Sequence, residues 1–312
     1  MTGSQVVAAL SPEALLGKSK AYIARALAAK DAKEFGEYQL WASLALELLG
    51  KWALAEVHPC LIADPQGVSL FAAAGRSVGT DIRTITAKTV FDRLGHLSKQ
   101  FDKKTEEHCI AMSLKRNAEL HSGEVPFAAV LPTSWEGRFW HTAAIILSIH
   151  DQTIEMWLGA DQAQAPSELI ANYTHAIEEA AKIRVEKAAE RFADLKKSER
   201  EALQSRAKAL DPFDMQRSFM MSVDKIWNTT CPACESNSFL AGVCYGEEPS
   251  HDDENDPYEE LVDVFYVADE FHCPACNLHL GSREEVEAVG LNVEYTDIET
   301  RQREYEPDYG ND

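Results

Sequence analysis

Apolar residues recur every three or four positions through most of the first 210 residues, which is the spacing of one face of an α-helix. In residues 33–58 this pattern predicts a central core helix, carried by Phe35, Tyr38, Trp41, Leu44, Leu48 and Trp52. Ser11 before Pro12 predicts the start of an earlier helix, because serine caps helix N-termini and proline is tolerated in the first turn. Three further helices are predicted over 87–101, 106–121 and 134–158.

The pattern changes along the rest of the chain. Beyond Pro166, an apolar stripe with many charged neighbours predicts one long amphipathic helix to about residue 210, a helical stalk. Runs rich in Val, Phe and Tyr predict strands over 238–245, 261–271 and 291–295. The acidic segment 246–260 predicts a loop. The predicted fold is mainly α, with a helical domain over 1–160, a long helix and linker over 161–221, and a small β-rich domain over 222–312.

Charge is distributed unevenly over these parts. The net charge is −21, and residues 224–312 carry −19 of it, with 23 Asp and Glu against 4 Lys and Arg. A DNA-binding role for the C-terminal part is therefore disfavoured, because phosphate binding needs clustered cations. Residues 76–121 carry nine Lys and Arg against six Asp and Glu, a local excess that fits either an anionic ligand there or an ordinary solvated surface. No run of about 18 apolar residues predicts a membrane span, and the first residues lack a secretion signal, so we expect a cytoplasmic protein.

Four of the seven cysteines form two Cys-Pro-Ala-Cys motifs. Cys231 and Cys234 are separated by 38 residues from Cys273 and Cys276. Two such turns can complete a tetrahedral site of four thiolates, which predicts a zinc ribbon with one structural Zn²⁺. Four protein ligands leave no open position on the metal, so the site is expected to stabilise the fold and to perform no chemistry.

Other interpretations of the cysteines stay open at this point. The two motifs could be unliganded, or a redox pair, although neither motif follows the strand-to-helix pattern of thioredoxin-like proteins. Substitute ligands are available in Cys244, His272 and His279, but a complete set of four cysteines makes them unnecessary. Cys60 and Cys109 are expected to be small core residues.

A candidate catalytic motif ends the predicted helix 106–121. Asn117 and His121 are four residues apart and share a helix face, with Arg116 beside them and Gly123 as the expected C-cap. A guanidinium can hold a phosphate through two hydrogen bonds, and histidine changes protonation near neutral pH. Together they can cleave a phosphodiester through attack of a ribose 2′-hydroxyl, so no metal is required and RNA is selected over DNA.

This motif resembles the signature of the HEPN superfamily (higher eukaryotes and prokaryotes nucleotide-binding), an Arg, a polar residue and a His at this spacing. The resemblance covers residues 33–158. It implies a helical domain that dimerises, so that two motifs form one composite cleft. It also implies a metal-independent endoribonuclease for single-stranded RNA, of the kind found in toxin or antiviral-defence systems. In this interpretation Arg116 holds the scissile phosphate, His121 transfers the proton and Asn117 orients them, with Glu47 in support.

Other interpretations remain open beside this hypothesis. The domain could be a non-catalytic HEPN-like dimerisation module whose zinc ribbon docks a protein partner, because some members of the superfamily have lost activity. Glu47 could serve only as the partner of Lys51, four residues further along the helix. The acidic ribbon could also bind a basic regulatory partner, or compete with RNA for the basic helical segment.

Overall fold

The computed structural model describes residues 7–76, 79, 81–128, 130–219, 223–251 and 258–303. Residue contacts divide the chain into two compact units, Met1–His175 and Ala176–Asp312, and each is described by itself. The architecture is mainly α, as predicted, with one antiparallel sheet near the C-terminus. Within the described ranges, no helix combines the length and the apolar character needed to cross a membrane.

The first unit is helical throughout its regular structure. Its longer helices are α1 (Pro12–Asp31), α2 (Phe35–Val57), α4 (Ala87–Leu94), α5 (Lys103–His121) and α6 (Glu136–Ser148). Two short helices, α3 (Ser69–Ala73) and α7 (Ile154–Leu158), complete the set, and α8 (Ala160–Ala193) begins in this unit and ends in the second. Helix α2 packs against α1, α4, α5 and α6 and is therefore the central element.

The local sequence accounts for these helices. The Ser11 hydroxyl accepts a hydrogen bond from the backbone N–H of Ala14, and Thr86 and Asp102 cap α4 and α5 in the same way. The predicted central core helix is confirmed, because Tyr38, Leu49 and other apolar side chains of α2 are completely buried. At Gly50 a Cβ atom would lie 2.8 Å from Val90, so the small residue allows α4 to pack closely on α2.

Three predicted helix boundaries were wrong. The helix predicted over 134–158 is two helices, because Asp151 adopts a left-handed conformation (φ 54°) between α6 and α7. The helix predicted over 87–101 ends at Leu94. The predicted continuous stalk is interrupted at 194–196, between α8 and α9 (Lys197–Ala209). Its apolar residues Ala181, Ala188 and Phe192 are buried in the core of the second unit, so this segment is packed rather than free-standing.

The second unit is built around an antiparallel sheet with the order β1-β2-β3-β4, in which β5 also pairs with β3. The strands are β1 (Lys225–Thr230), β2 (Asn237–Pro249), β3 (Glu259–His272), β4 (His279–Leu280) and β5 (Glu294–Gln302). Two short helices, α10 (Pro212–Met215) and α11 (Arg283–Ala288), lie beside it in the chain. Strand β2 continues to Pro249 and β3 begins at Glu259, so the loop predicted over 246–260 was wrong at both of its ends. The middle of that segment, residues 252–257, lies outside the described residues.

Candidate metal centre and candidate catalytic site

Two turns of matching geometry position the four cysteines. Cys231 and Cys234 lie in the turn between β1 and β2, and Cys273 and Cys276 lie in the turn between β3 and β4. In the first turn the backbone N–H of Glu235 donates to Cys231 O at 3.0 Å, and in the second the N–H of Asn277 donates to Cys273 O at 2.9 Å. Both donor residues, Glu235 and Asn277, have φ of 58°. The duplicated sequence motif therefore folds into a duplicated structural turn.

The sulfur atoms converge on one point. The Sγ atoms of Cys231 and Cys276 are 3.6 Å apart, as are those of Cys234 and Cys273, and all four sulfurs lie within 4.8 Å of one another. Tetrahedral Zn–S bonds of about 2.3 Å place sulfurs about 3.8 Å apart, so the observed separations are compatible with a structural zinc site. Among the described His, Cys, Asp and Glu residues, these four cysteines are the one group placed closely enough to hold a metal ion.

The four sulfurs interact closely, so that hydrogen bonds among them raise the pKa of Cys231 and Cys276 and lower the pKa of Cys234 and Cys273. Cys231, Cys234 and Cys273 are buried, and none of the four forms a disulfide. Hydrogen bonds from the neighbouring cysteines hold the pKa of Cys273 below its usual value, and the contact with Cys231 lowers the pKa of Cys234 to about 7. The backbone N–H of Cys276 also donates to Cys273 Sγ at 3.5 Å. Deprotonated sulfur is the form that binds metals.

The sequence also offered other candidate ligands, and they lie outside this group. Cys244 is exposed on β2, where its thiol contacts the carbonyl of Gly246. His272 Nε2 is bonded to Asn277 Oδ1 at 3.2 Å, and His279 Nε2 to a carboxylate oxygen of Glu270 at 2.6 Å. Cys109 is buried in the core of the first unit, as expected.

A buried ion pair and a hydrogen bond between a buried carboxylate and a histidine lie beside the cysteines, and the sequence did not predict either. Arg283 on α11 binds Asp269 on β3 at 2.9 Å, and Glu270, only 1% exposed, binds His279. A buried carboxylate is costly unless it is paired, so these contacts hold β3 against the segment that follows the second cysteine turn. The available signal was the acidic pair Asp269-Glu270, which follows the apolar run 264–268 and precedes Phe271.

The candidate catalytic motif lies at the C-terminal end of α5. Asn117 and His121 are exposed there, with His121 in the last helical turn. The helix is capped by Ser122, whose hydroxyl donates to Ala118 O at 2.7 Å. The expected cap at Gly123 was therefore one residue too late. No side chain of the first unit is placed against Asn117 or His121 by a hydrogen bond among the described residues, so both remain open to a ligand.

Arg116 has a different environment from its two neighbours. Its Nη2 atom lies 2.6 Å from a carboxylate oxygen of Glu47 on α2, and the other oxygen of Glu47 accepts from Lys51 at 2.7 Å. The three side chains are only 11–13% exposed. Glu47 thus pairs with Lys51, as the simpler interpretation predicted, and also with Arg116. Burial alone would raise the pKa of Glu47, but attraction to Lys51 and Arg116 holds it below its usual value.

A second histidine of α5 differs from His121. His108 is largely buried, and desolvation, with the nearby Arg138 and Lys115, lowers its pKa to about 3. It is therefore neutral at physiological pH and is part of the protein interior.

Comparisons with protein-family models, with curated proteins and with solved structures find no match to this chain.

Proposed function

We propose that the protein is a metal-independent endoribonuclease that cleaves single-stranded RNA through a composite dimeric Arg/His site. The observation that carries this proposal is the arrangement at the end of α5, where Asn117 and His121 are exposed and Arg116 is anchored by Glu47. Exposed imidazole and amide groups can reach a ribose-phosphate backbone, and an anchored guanidinium is already oriented for charge stabilisation. As the resemblance implies, such an enzyme would serve as a toxin or antiviral-defence effector.

The charges of the buried cluster formed by Glu47, Lys51 and Arg116 favour an anionic substrate. Glu47 is shared between two cations, Lys51 and Arg116, so the three side chains together carry a positive charge. The Nε atom of Arg116 is buried and has no hydrogen-bond partner in the described part of the chain. A phosphate bound beside Arg116 would offset the excess positive charge, and a rotation of the Arg116 side chain would bring its Nε to the phosphate as an acceptor.

The surface around the motif supports assembly with a second copy. Leu114, Asn117 and His121 follow a three- and four-residue spacing and share one face of α5. Leu114 is 62% exposed and Leu120 is 48% exposed. Apolar side chains that flank exposed polar ones are typical of a protein interface. Pairing of this face with its copy would bring two His121 side chains to one RNA strand.

The central experiment is RNA cleavage in EDTA by the full-length protein, with the retained zinc content measured on the same sample. We expect the wild type to cut single-stranded RNA and His121→Ala to lose at least about 100-fold in rate, the usual contribution of a general acid or base. His96→Ala, at another exposed histidine of the same unit, is the matched control. Full cutting by His121→Ala, or loss of activity in both variants, would refute the assignment.

We also propose that the four cysteines bind Zn²⁺ as a structural ion. All-sulfur tetrahedral sites are typical of zinc, and burial of three of the four sulfurs agrees with a closed site. The purified protein is expected to contain one zinc ion per chain by elemental analysis. Iron in place of zinc, recognised by visible absorbance, would contradict the metal assignment and leave the ligand set intact.

One observation favours the alternative of a non-catalytic interaction module. The Arg116 side chain is 12% exposed and is ion-paired with Glu47, so its guanidinium serves a structural contact in the single chain. In that function the helical unit would dimerise and the acidic second unit would dock a basic partner. It predicts no RNA cleavage by the wild-type protein under any activating condition. The cleavage assay therefore separates the two functions.

A further inference from the structure

An aromatic and cationic cluster lies on the surface formed by α1 and α2. The rings of Tyr22 and Trp41 meet edge to face, with centroids 5.3 Å apart. The guanidinium of Arg25 lies 4.9 Å from the ring centroid of Trp41 and 5.6 Å from that of Tyr22. The Lys18 ammonium lies 5.5 Å from the Tyr22 ring. Both rings are half-buried, whereas Arg25 and Lys18 are exposed.

A cavity of about 380 Å³ adjoins the cluster. Its lining residues are Arg25, Ala28, Ala29, Glu34, Glu37 and Trp41. It is an open groove at the surface, and its lining combines an aromatic ring, two small residues, one guanidinium and two carboxylates. Glu37 accepts a hydrogen bond from Trp41 Nε1 at 3.4 Å, which fixes the carboxylate beside the ring. A carboxylate in that position can accept from the amino groups of a nucleobase.

The cluster lies toward the same end of α2 as the candidate catalytic motif. Arg116 of α5 pairs with Glu47, and Phe127, six residues beyond the end of α5, lies beside Gly36 near the start of α2. Trp41 precedes Glu47 by six residues, an axial distance of about 9 Å along a helix. A strand bound at the end of α5 therefore needs to extend by only a few nucleotides around α2 to meet this cluster.

We propose that Tyr22, Arg25 and Trp41 form a nucleobase-stacking subsite for single-stranded RNA, an inference that rests on the proposed endoribonuclease function. Proteins hold single strands without sequence preference by stacking bases on aromatic rings and placing cations beside the backbone. Here the cavity wall offers the Trp41 ring for stacking, and Arg25 and Lys18 are placed to contact phosphates. Of the four Lys and Arg of α1, Lys18 and Arg25 lie at the cluster and are the cations available to phosphates there. Lys20 donates to Met156 O, and Lys30 pairs with Glu136.

Binding is tested by fluorescence anisotropy with a labelled single-stranded oligoribonucleotide and the full-length protein in the His121→Ala background, which prevents cutting. We expect Trp41→Ala to weaken affinity about 5- to 150-fold, the usual range for loss of one stacked base. Arg25→Gln should weaken it as well, whereas Trp41→Phe, which keeps a ring, should retain most of it. Phe71→Ala, at a 60% exposed aromatic residue of the same unit, is the matched control.

An oligoribonucleotide with abasic positions separates stacking from charge, because it keeps every phosphate. The parent protein, which carries His121→Ala alone, should bind the abasic strand more weakly than the normal strand. The variant that also carries Trp41→Ala should bind both strands equally. If Trp41→Ala does not fold, two other results decide the question. They are the affinities of Arg25→Gln and Trp41→Phe for the normal strand, and the difference in affinity between the normal and the abasic strand. Unchanged affinity in Arg25→Gln and equal binding of both strands by the parent protein would overturn the proposal.

The same measurements distinguish failure of this subsite from failure of the proposed function. Cleavage by the wild type together with unaltered affinity in the Trp41 and Arg25 variants would exclude the subsite and leave the nuclease standing. Binding through Trp41 without any cleavage would support the subsite and exclude the nuclease. Binding of a polypeptide at this surface, together with no affinity for RNA, would overturn both the subsite and the proposed nuclease.

Discussion

Removal of Glu47 is expected to destabilise the first unit strongly. The carboxylate is 13% exposed and is the ion-pair partner of both Arg116 and Lys51. Glu47→Ala would leave two largely buried cations without their counter-charge, and loss of one partner from a buried pair costs about 3–5 kcal/mol. The control is Asp81→Ala, which removes an ion pair with Arg83 whose side chains are about 70% exposed. Exposed pairs contribute only about 0–1 kcal/mol.

The assay is urea unfolding followed by tryptophan fluorescence. Five of the six tryptophans lie in the first unit, and only Trp227 lies in the second, so the signal reports mainly on the unit that contains Glu47. A fall of less than about 1 kcal/mol in the free energy of unfolding for Glu47→Ala would refute the argument that the cluster is a buried, mutually dependent unit. Replacing Glu47, Lys51 and Arg116 together by apolar residues should restore much of the stability.

The same cluster predicts a pH dependence. The pKa of Glu47 is held below its usual value in the folded protein, while the unfolded chain has an ordinary glutamate pKa of about 4.3. The unfolded state therefore binds the proton first, so the contribution of Glu47 is fully present above about pH 5 and is lost as pH falls through the folded pKa. Wild type should lose more stability than Glu47→Gln between about pH 5 and pH 3. Parallel pH profiles would contradict this.

Two further variants test the second unit. Cys273→Ser should abolish stoichiometric zinc in elemental analysis and lower the melting temperature of this unit, whereas Cys244→Ser, at an exposed cysteine outside the sulfur group, should leave both unchanged. Gly242→Ala should cost at least about 3 kcal/mol in urea unfolding, because its Cβ would lie 2.0 Å from the carbonyl oxygen of Val267. Gly246→Ala has more space and is the control; equal losses in the two glycine variants would contradict the packing argument.

Features determined by short segments were predictable from the sequence. Ser11 caps α1 because its hydroxyl needs only the next three residues, and each Cys-Pro-Ala-Cys turn closes with hydrogen bonds inside its own loop. The break between α6 and α7 was missed because it depends on Asp151 in a left-handed conformation, and no Gly or Pro marks the position. The extension of β2 and β3 was missed because acidic residues disfavour strands, yet pairing on both sides of β3 overrides this preference.

The resemblance named Glu47 as a supporting residue, but its direct pairing with Arg116 could not be deduced from the motif, since Glu47 lies on α2, about 70 residues earlier in the chain. This pairing changes how variants of the motif must be interpreted. An Arg116→Ala protein that lacks activity could have lost a phosphate contact or the support of Glu47, so its folding stability has to be measured beside its rate. His121 and Asn117 are exposed and make no such contact with the residues that the structure describes, so their replacement should leave stability within about 0.5 kcal/mol. Loss of cleavage at unchanged stability in His121→Ala would therefore report on chemistry directly.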